Sequence, residues 1–205
     1  MSPHSPARVL LAKDCPAMPW RNGGGQTREL LTWPAGSAPD QWQLRISRAD
    51  IDYDGPFSAF PGVQRWFAVL KGAGVALRFG STEQCLRAGD APLSFDGAAA
   101  PGCRLLEGRT QDLNLMVRGG GKGMLQTVRP GQPWRATLGA CGLYTCAPGM
   151  WSDGQHSRHL ASDTLLWHPA PQSATWQFLP DDSTQSPNAY WLGFSPQATS
   201  FGARL

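Results

Sequence analysis

The chain has 205 residues, a net charge of +3, and 16% charged against 41% hydrophobic residues. That length bounds it to one unit or two small halves sharing a core, and the composition excludes intrinsic disorder. Its 15 arginines and three lysines are scattered, with no basic run and no aromatic–basic stripe, which argues against a nucleic-acid surface.

Other counts narrow the reading further. Twenty-four glycines and 18 prolines punctuate the chain every few residues and favour short strands over long helices. Nine tryptophans supply a heavy aromatic load. The N-terminus carries no apolar signal core, and no apolar run reaches the roughly 18 residues of a membrane span, so a cytoplasmic protein with no membrane partner is expected. Cys15, Cys85, Cys103, Cys141 and Cys146 make an odd set without CxxC spacing, which reads as buried free thiols in a reducing compartment.

In chain order the first unusual stretch is MPWRNGGGQTREL, Met18–Leu30. Three consecutive glycines separate Trp20, Arg21 and Asn22 from a strand-like segment. The run is neither a P-loop nor a GxGxxG turn, so a nucleotide reading is poor. Consecutive glycines can present N–H groups to an anion or let another backbone approach, so ligand contact and a plain turn both fit.

Helical periodicity is almost absent; Gln26–Thr32 and Asp40–Gln43 are the two places where a short helical turn could form. From Gln41 to Ser47 the chain alternates, with Trp42, Leu44 and Ile46 on one face and Gln43, Arg45 and Ser47 on the other. Arg45 would be solvated on an open sheet, but in a closed roll it would line the interior. Val63–Leu70 is a second strand, with Arg65 on the face of Val63, Phe67 and Val69. A guanidinium buried there needs a carboxylate, from the protein as a salt bridge or from a ligand, unless the strand end lies at the surface. Lys71-Gly72-Ala73-Gly74 then turns into Val75–Phe79, and the pair reads as a hairpin.

Leu86–Asp90, Ala91–Phe95, Cys103–Glu107 and Asp112–Arg118 continue the series. In the last, Leu113, Leu115 and Val117 form one face and Asp112, Asn114 and Met116 the other. Short strands with glycine turns predict an all-β sandwich or barrel. A weak echo between AGDAPL (Ala88–Leu93) and ASDTLL (Ala161–Leu166) fits a duplicated roll, with halves at 1–122 and 123–205 joined through Gly119–Gly123. Asp181–Pro187 reads as an exposed loop.

Metal and triad chemistry find little support. His4, His156, His159 and His168 are the only histidines. His156 and His159 have a metal-like spacing but only Asp153 beside them, so they read as a solvated pair, and no metal or other cofactor is expected. No GxSxG occurs.

Several motifs in order resemble the HutD/Ves family: MPWRNGGGQTREL, Trp42–Ala49 (WQLRISRA), Asp54–Arg65 (DGPFSAFPGVQR), Val69–Gly74 (VLKGAG) and Asp112–Arg118 (DLNLMVR). The match is strong over about residues 10–120 and looser beyond. The resemblance implies a cupin-type β-barrel or jelly roll with a second cupin-like half, a bicupin. It does not imply the usual cupin metal site, since Gly55–Arg65 holds no histidine and Lys71 stands where a glutamate-like position follows the strand. It brings an association with histidine utilisation, through sensing of a pathway intermediate such as urocanate or N-formylglutamate, while other members are named for stress response. No enzyme activity comes with it.

Both intermediates carry carboxylates, which arginines in a histidine-free barrel can hold. The expected site therefore has Arg65 as carboxylate anchor, with Trp20, Asn22, Arg45, Phe57 and Asn114 shaping the pocket. Arg21, Gly24, Thr27, Ser58 and Asp112 complete the candidate set, and the expected partner is a small organic acid. An exposed edge strand could also pair two chains into a homodimer. The competing expectations are a metal-free isomerase or hydrolase using Asp112 or a cysteine as base, a metal-dependent dioxygenase, and a structural or partner-binding protein if side chains fill the barrel.

Overall fold

The structure is a computed structural model and describes residues 7–171, 175–182 and 189–197. His4 and most of the Asp181–Pro187 loop lie outside the described residues. In chain order the first strands are β1 (Arg8–Leu11), β2 (Ala17–Pro19), β3 (Gly25–Trp33), β4 (Leu44–Ile51), β5 (Gly55–Pro56) and β6 (Val63–Lys71). Next come β7 (Val75–Phe79), β8 (Thr82–Leu86), β9 (Leu93–Asp96), β10 (Gly102–Leu105) and β11 (Thr110–Arg118). The chain continues with β12 (Lys122–Thr127), β13 (Trp134–Arg135), β14 (Ala140–Thr145), β15 (Gly149–Ser152), β16 (Ser157–Leu160), β17 (Thr164–His168), β18 (Thr175–Pro180) and β19 (Ala189–Ser195). Helix is confined, among the described residues, to the short 3-10 turns Ala12–Asp14 and Gly97–Ala99.

These strands form four open sheets rather than a closed barrel. The large sheet of the early strands runs β2-β3-β4-β11-β6-β9, and its small companion runs β5-β10-β7-β8. The later strands repeat the plan: β12-β19-β14-β17, extended by β1, with β13-β18-β15-β16 as companion. The orders β4-β11-β6-β9 and β12-β19-β14-β17 correspond strand for strand, as do the two small sheets. The all-β architecture expected from the short strands is therefore present, with the repeated strand order that the echo and the resemblance implied. The AGDAPL and ASDTLL echo falls at matching places, where an edge strand of a small sheet leads into a large one. We propose the division at residue 122 on this order, with β1 lent to the second half by pairing with β17.

The layers stack small–large–large–small, as the hydrophobic clusters show. Leu44, Ile46, Leu113 and Leu115 of one large sheet pack against Tyr144, Leu165, Tyr190 and Leu192 of the other. The Tyr190 hydroxyl donates to the Val69 carbonyl at 3.0 Å across this seam, satisfying a polar atom inside the core. The other face of each large sheet meets its small companion: Phe67 and Val69 face Val75, Leu77 and Cys103, while Leu143 and Trp191 face Trp151 and Trp176.

Several local expectations are corrected. Val63–Leu70 and Val75–Phe79 do not form a hairpin. β6 pairs with β11 and β9, whereas β7 pairs with β10 and β8. Gly72 and Gly74, at φ 94° and 103°, instead carry the chain from the large sheet to the small one. Gln26–Thr32 belongs to β3, and Asp40–Gln43 is a turn leading into β4. Trp42 is buried but not beside Leu44 and Ile46. It packs with Val63 and Met116 on the opposite side, because the chain bends at Gln43 before the extended alternation begins. Cys103 and Cys141 are buried free thiols, but Cys85 on the edge strand β8 is exposed.

Candidate functional site

Register places the polar residues of three neighbouring strands in rows across the large sheet. Arg45, Met116 and Arg65 are cross-strand partners in one row, Ser47, Asn114 and Phe67 in the next, and Ala49, Asp112 and Val69 in a third. Because strand side chains alternate, this face of β4, β11 and β6 looks toward the small sheet. There it floors a cavity of about 190 Å³ that Trp20, Thr27, Pro56, Phe57, Ser58 and Phe60 also line.

Arg65 is the centre of this cavity. It is 4% exposed and has no ion pair among the described residues. Its Nη2 donates to Asn114 Oδ1 at 2.6 Å, while its Nε is buried with no hydrogen-bond partner. The guanidinium carbon lies 4.9 Å from the Phe57 ring centre, 5.1 Å from Phe95 and 5.9 Å from Phe60. Aromatic faces hold the cation, each by about 0.5–2 kcal/mol, without neutralising it. Burial pushes its pKa down to about 10, which leaves it charged at neutral pH.

Asn114 Nδ2 donates in turn to Asp112 Oδ1. Asp112 is 1% exposed, and burial pushes its pKa up to about 8, outweighing the opposing pull of Arg65. Burial thus favours the neutral carboxyl over the carboxylate, and Arg65 and Asp112 form no ion pair among the described residues. Arg45 contributes less free charge, since its Nε donates to Glu29 Oε2 at 2.9 Å.

Trp20, Thr27, Arg45, Phe57, Ser58, Arg65, Asp112 and Asn114 are thus brought together, with the Trp20 indole donating to Thr27 Oγ1 at 2.7 Å. Arg21, Asn22 and Gly24 do not line the cavity. The glycine run is the connection between the paired strands β2 and β3, and Trp20 N–H donates to the Gly25 carbonyl at 2.9 Å. The Asn22 side chain accepts from Gly24 N–H at 3.0 Å, a local turn bond. At Gly25 a Cβ would sit 2.2 Å from the Asp50 carbonyl oxygen, so close backbone approach fixes that glycine. Ser47 and Met116 were legible from the same alternation as Arg45 and Asn114. Phe60 and Phe95 carried no local signal, since only tertiary packing sets them around Arg65.

The donor set does not fit a metal. Two guanidiniums, an amide and a single carboxyl offer no cluster of anionic or imidazole ligands. Among the described residues no group of three or more His, Cys, Asp or Glu side chains could hold one. His156 and His159 bond different carboxylates, Asp153 and Asp181. The thiols of Cys103, Cys141 and Cys146 are pushed up to about 12 by burial, which leaves them inert.

A duplicated pair of double-sheet rolls, one of them enclosing a metal-unsuited basic cavity, defines an all-β protein of the cupin type. Distant solved structures share that fold alone, among them a Bacillus subtilis oxalate decarboxylase mutant at 11% identity and TM-score 0.56, covering 91% of this chain and 76% of that one. The chain belongs to the HutD family, which it matches over residues 12–184. It is similar to an uncharacterized 21.2 kDa protein of the hutC 3' region of Pseudomonas putida, 42% identical over 55% of this chain and 58% of that one. It is also similar to protein Ves of Citrobacter koseri, 37% identical over 48% of this chain and 51% of that one. These matches thus span little more than half the length of those curated relatives. Among solved structures, a conserved Pseudomonas aeruginosa PAO1 protein of unknown function is 31% identical, with TM-score 0.81, covering 93% of this chain and all of that one. HutD from Pseudomonas fluorescens SBW25 is 27% identical, with TM-score 0.77 and the same coverage.

Proposed function

We propose that the cavity around Arg65 binds a small organic carboxylate, and that the protein is a cytoplasmic sensor or regulator of histidine utilisation responding to an intermediate such as N-formylglutamate or urocanate. One observation carries the binding reading: a buried guanidinium with an orphaned Nε faces a cavity and forms no ion pair among the described residues, Asp112 being held off it by Asn114. Burying a cation without its counter-ion costs several kcal/mol, which a bound carboxylate would offset. The family supports the pathway context, since a relative is named for a hutC 3' region and the chain matches the HutD model. No helix among the described residues is long and apolar enough to cross a membrane.

The experiment is calorimetric titration of the whole chain with N-formylglutamate, urocanate and formate, with and without Arg65→Ala. The wild type should bind at least one acid, and the variant should stay folded while losing at least a hundredfold in affinity. Equal affinities in both proteins for every acid, or no binding by the wild type, would sink the assignment. A second reading, a metal-free enzyme, is favoured by one feature: Asp112 in the same cavity has a pKa near physiological pH, as a general acid or base needs. Mass spectrometry of the same acids after incubation separates the two, because a binding protein returns them unchanged.

A further inference from the structure

A second basic cavity, of about 270 Å³, lies on the other face of the same large sheet, toward the seam between the two halves. It is lined by Ala12, Lys13, Arg28, Arg48, Ser162 and Asp163 and shares no residue with the Arg65 cavity. Its walls come from the 3-10 turn after β1, from the neighbouring strands β3 and β4, and from the turn before β17. Ala12 N–H donates to the Asp163 carbonyl at 2.9 Å, which holds the first and last of these together.

Its charge is unbalanced by construction. Arg28 and Arg48 are direct cross-strand partners, a placement in which like charges repel. Nearby carboxylates are shared with other groups. Asp50 accepts from Arg48 Nη2 at 3.2 Å, but also from Gln26 at 3.1 Å and Gln111 at 2.8 Å. Asp163 accepts from Lys71 at 3.0 Å and from the Tyr144 hydroxyl at 3.3 Å. Arg28 donates to the neutral Cys15 carbonyl, and among the described residues neither it nor Lys13 has an ion-pair partner. Arg48, 9% exposed, keeps a buried Nε with no hydrogen-bond partner.

We propose that this cavity binds a phosphate dianion, either the free ion or the phosphate group of a monoester, between Lys13, Arg28 and Arg48. Three cations on three elements suit an oxyanion with acceptor atoms in several directions, whereas a planar carboxylate satisfies one guanidinium fork. Among the described residues Ala12 is the sole apolar side chain of the lining, and no aromatic side chain lines it to hold the body of an organic acid. A dianion that binds the folded chain and not the unfolded one should raise stability by linkage.

The test is thermal unfolding and calorimetry of the full chain with sodium phosphate, and separately with glycerol 3-phosphate, in chloride at constant ionic strength. Phosphate should bind saturably and raise the melting temperature. Lys13→Gln, at an exposed position, and Arg28→Gln should each weaken it at least tenfold, while Arg65→Met should leave it unchanged. If Arg28→Gln does not fold, Lys13→Gln decides. Tighter binding of the monoester identifies it as the occupant; tighter or equal binding of phosphate identifies the free ion. The proposal is overturned if neither probe binds saturably, if Lys13→Gln binds like the wild type, or if Arg65→Met alone abolishes binding.

Discussion

The Arg65 guanidinium donates to the Asn114 amide oxygen at 2.6 Å, and that amide turns its own N–H to Asp112. The amide lets a buried cation and a buried carboxyl occupy one cavity without forming an ion pair. Neutralisation then falls to protonation of Asp112 on one side and to a bound anion on the other.

Stability should therefore depend on pH through Asp112. Its pKa is about 8 in the fold and about 3.9 in an unfolded chain, so between these values the native state holds the extra proton. Stability contributed by this group is fully present below about pH 4 and is lost as pH rises toward 8. Urea midpoints should fall between pH 5 and pH 8 in the wild type, and Asp112→Asn should remove most of that slope. An unchanged slope in the variant would contradict the assignment. Carboxylate affinity should drop above pH 8 in the wild type alone, where ionised Asp112 begins to compensate Arg65.

The glycines of the β2–β3 connection separate into two physical roles. At Gly25 an added methyl meets the Asp50 backbone oxygen at 2.2 Å, and backbone on both strands must shift. At Gly23 nothing lies within 4 Å, but φ is +69°. Gly25→Ala should cost about 2–4 kcal/mol, within the range of overpacking and strain, and Gly23→Ala about 1 kcal/mol. Denaturant titration of both variants checks the order. Equal costs would mean that the close approach to β4 is not what requires the run.

Much of the candidate site was legible because alternation is local. Period two alone put Arg45 with Ser47, and Asp112 with Asn114 and Met116, and these faces do floor one cavity. What alternation cannot carry is which strands pair. The Lys71–Gly74 turn looks like a hairpin in isolation, yet joins two sheets, because β6 finds its partners in β9 and β11. Trp42 changes face through a bend at Gln43 that no periodicity announces. The same limit hid Phe95, which reaches the Arg65 cation only because β9 pairs alongside β6.

The two repeats have the same strand order but different interiors, and this yields a prediction about which half binds. Where the first encloses the Arg65 cavity, the second packs Trp134, Trp151, Trp176 and Trp191 between its sheets. Trp134 and Trp191 stack at 4.9 Å with 9° between planes, and Trp151 meets Trp176 edge-on at 5.0 Å and 83°. Such pairs add about 0.5–1.5 kcal/mol each beyond the area they bury. Trp176 is 1% exposed and touches all three others, so truncating it opens a cavity that rigid sheets cannot close. Trp176→Ala should cost about 3–5 kcal/mol of stability. Carboxylate affinity measured well below the variant's melting temperature should stay within twofold of the wild type, since the Arg65 cavity shares no wall with the tryptophans. A large loss of affinity with the fold intact would instead place the ligand, or its coupling, in the second repeat.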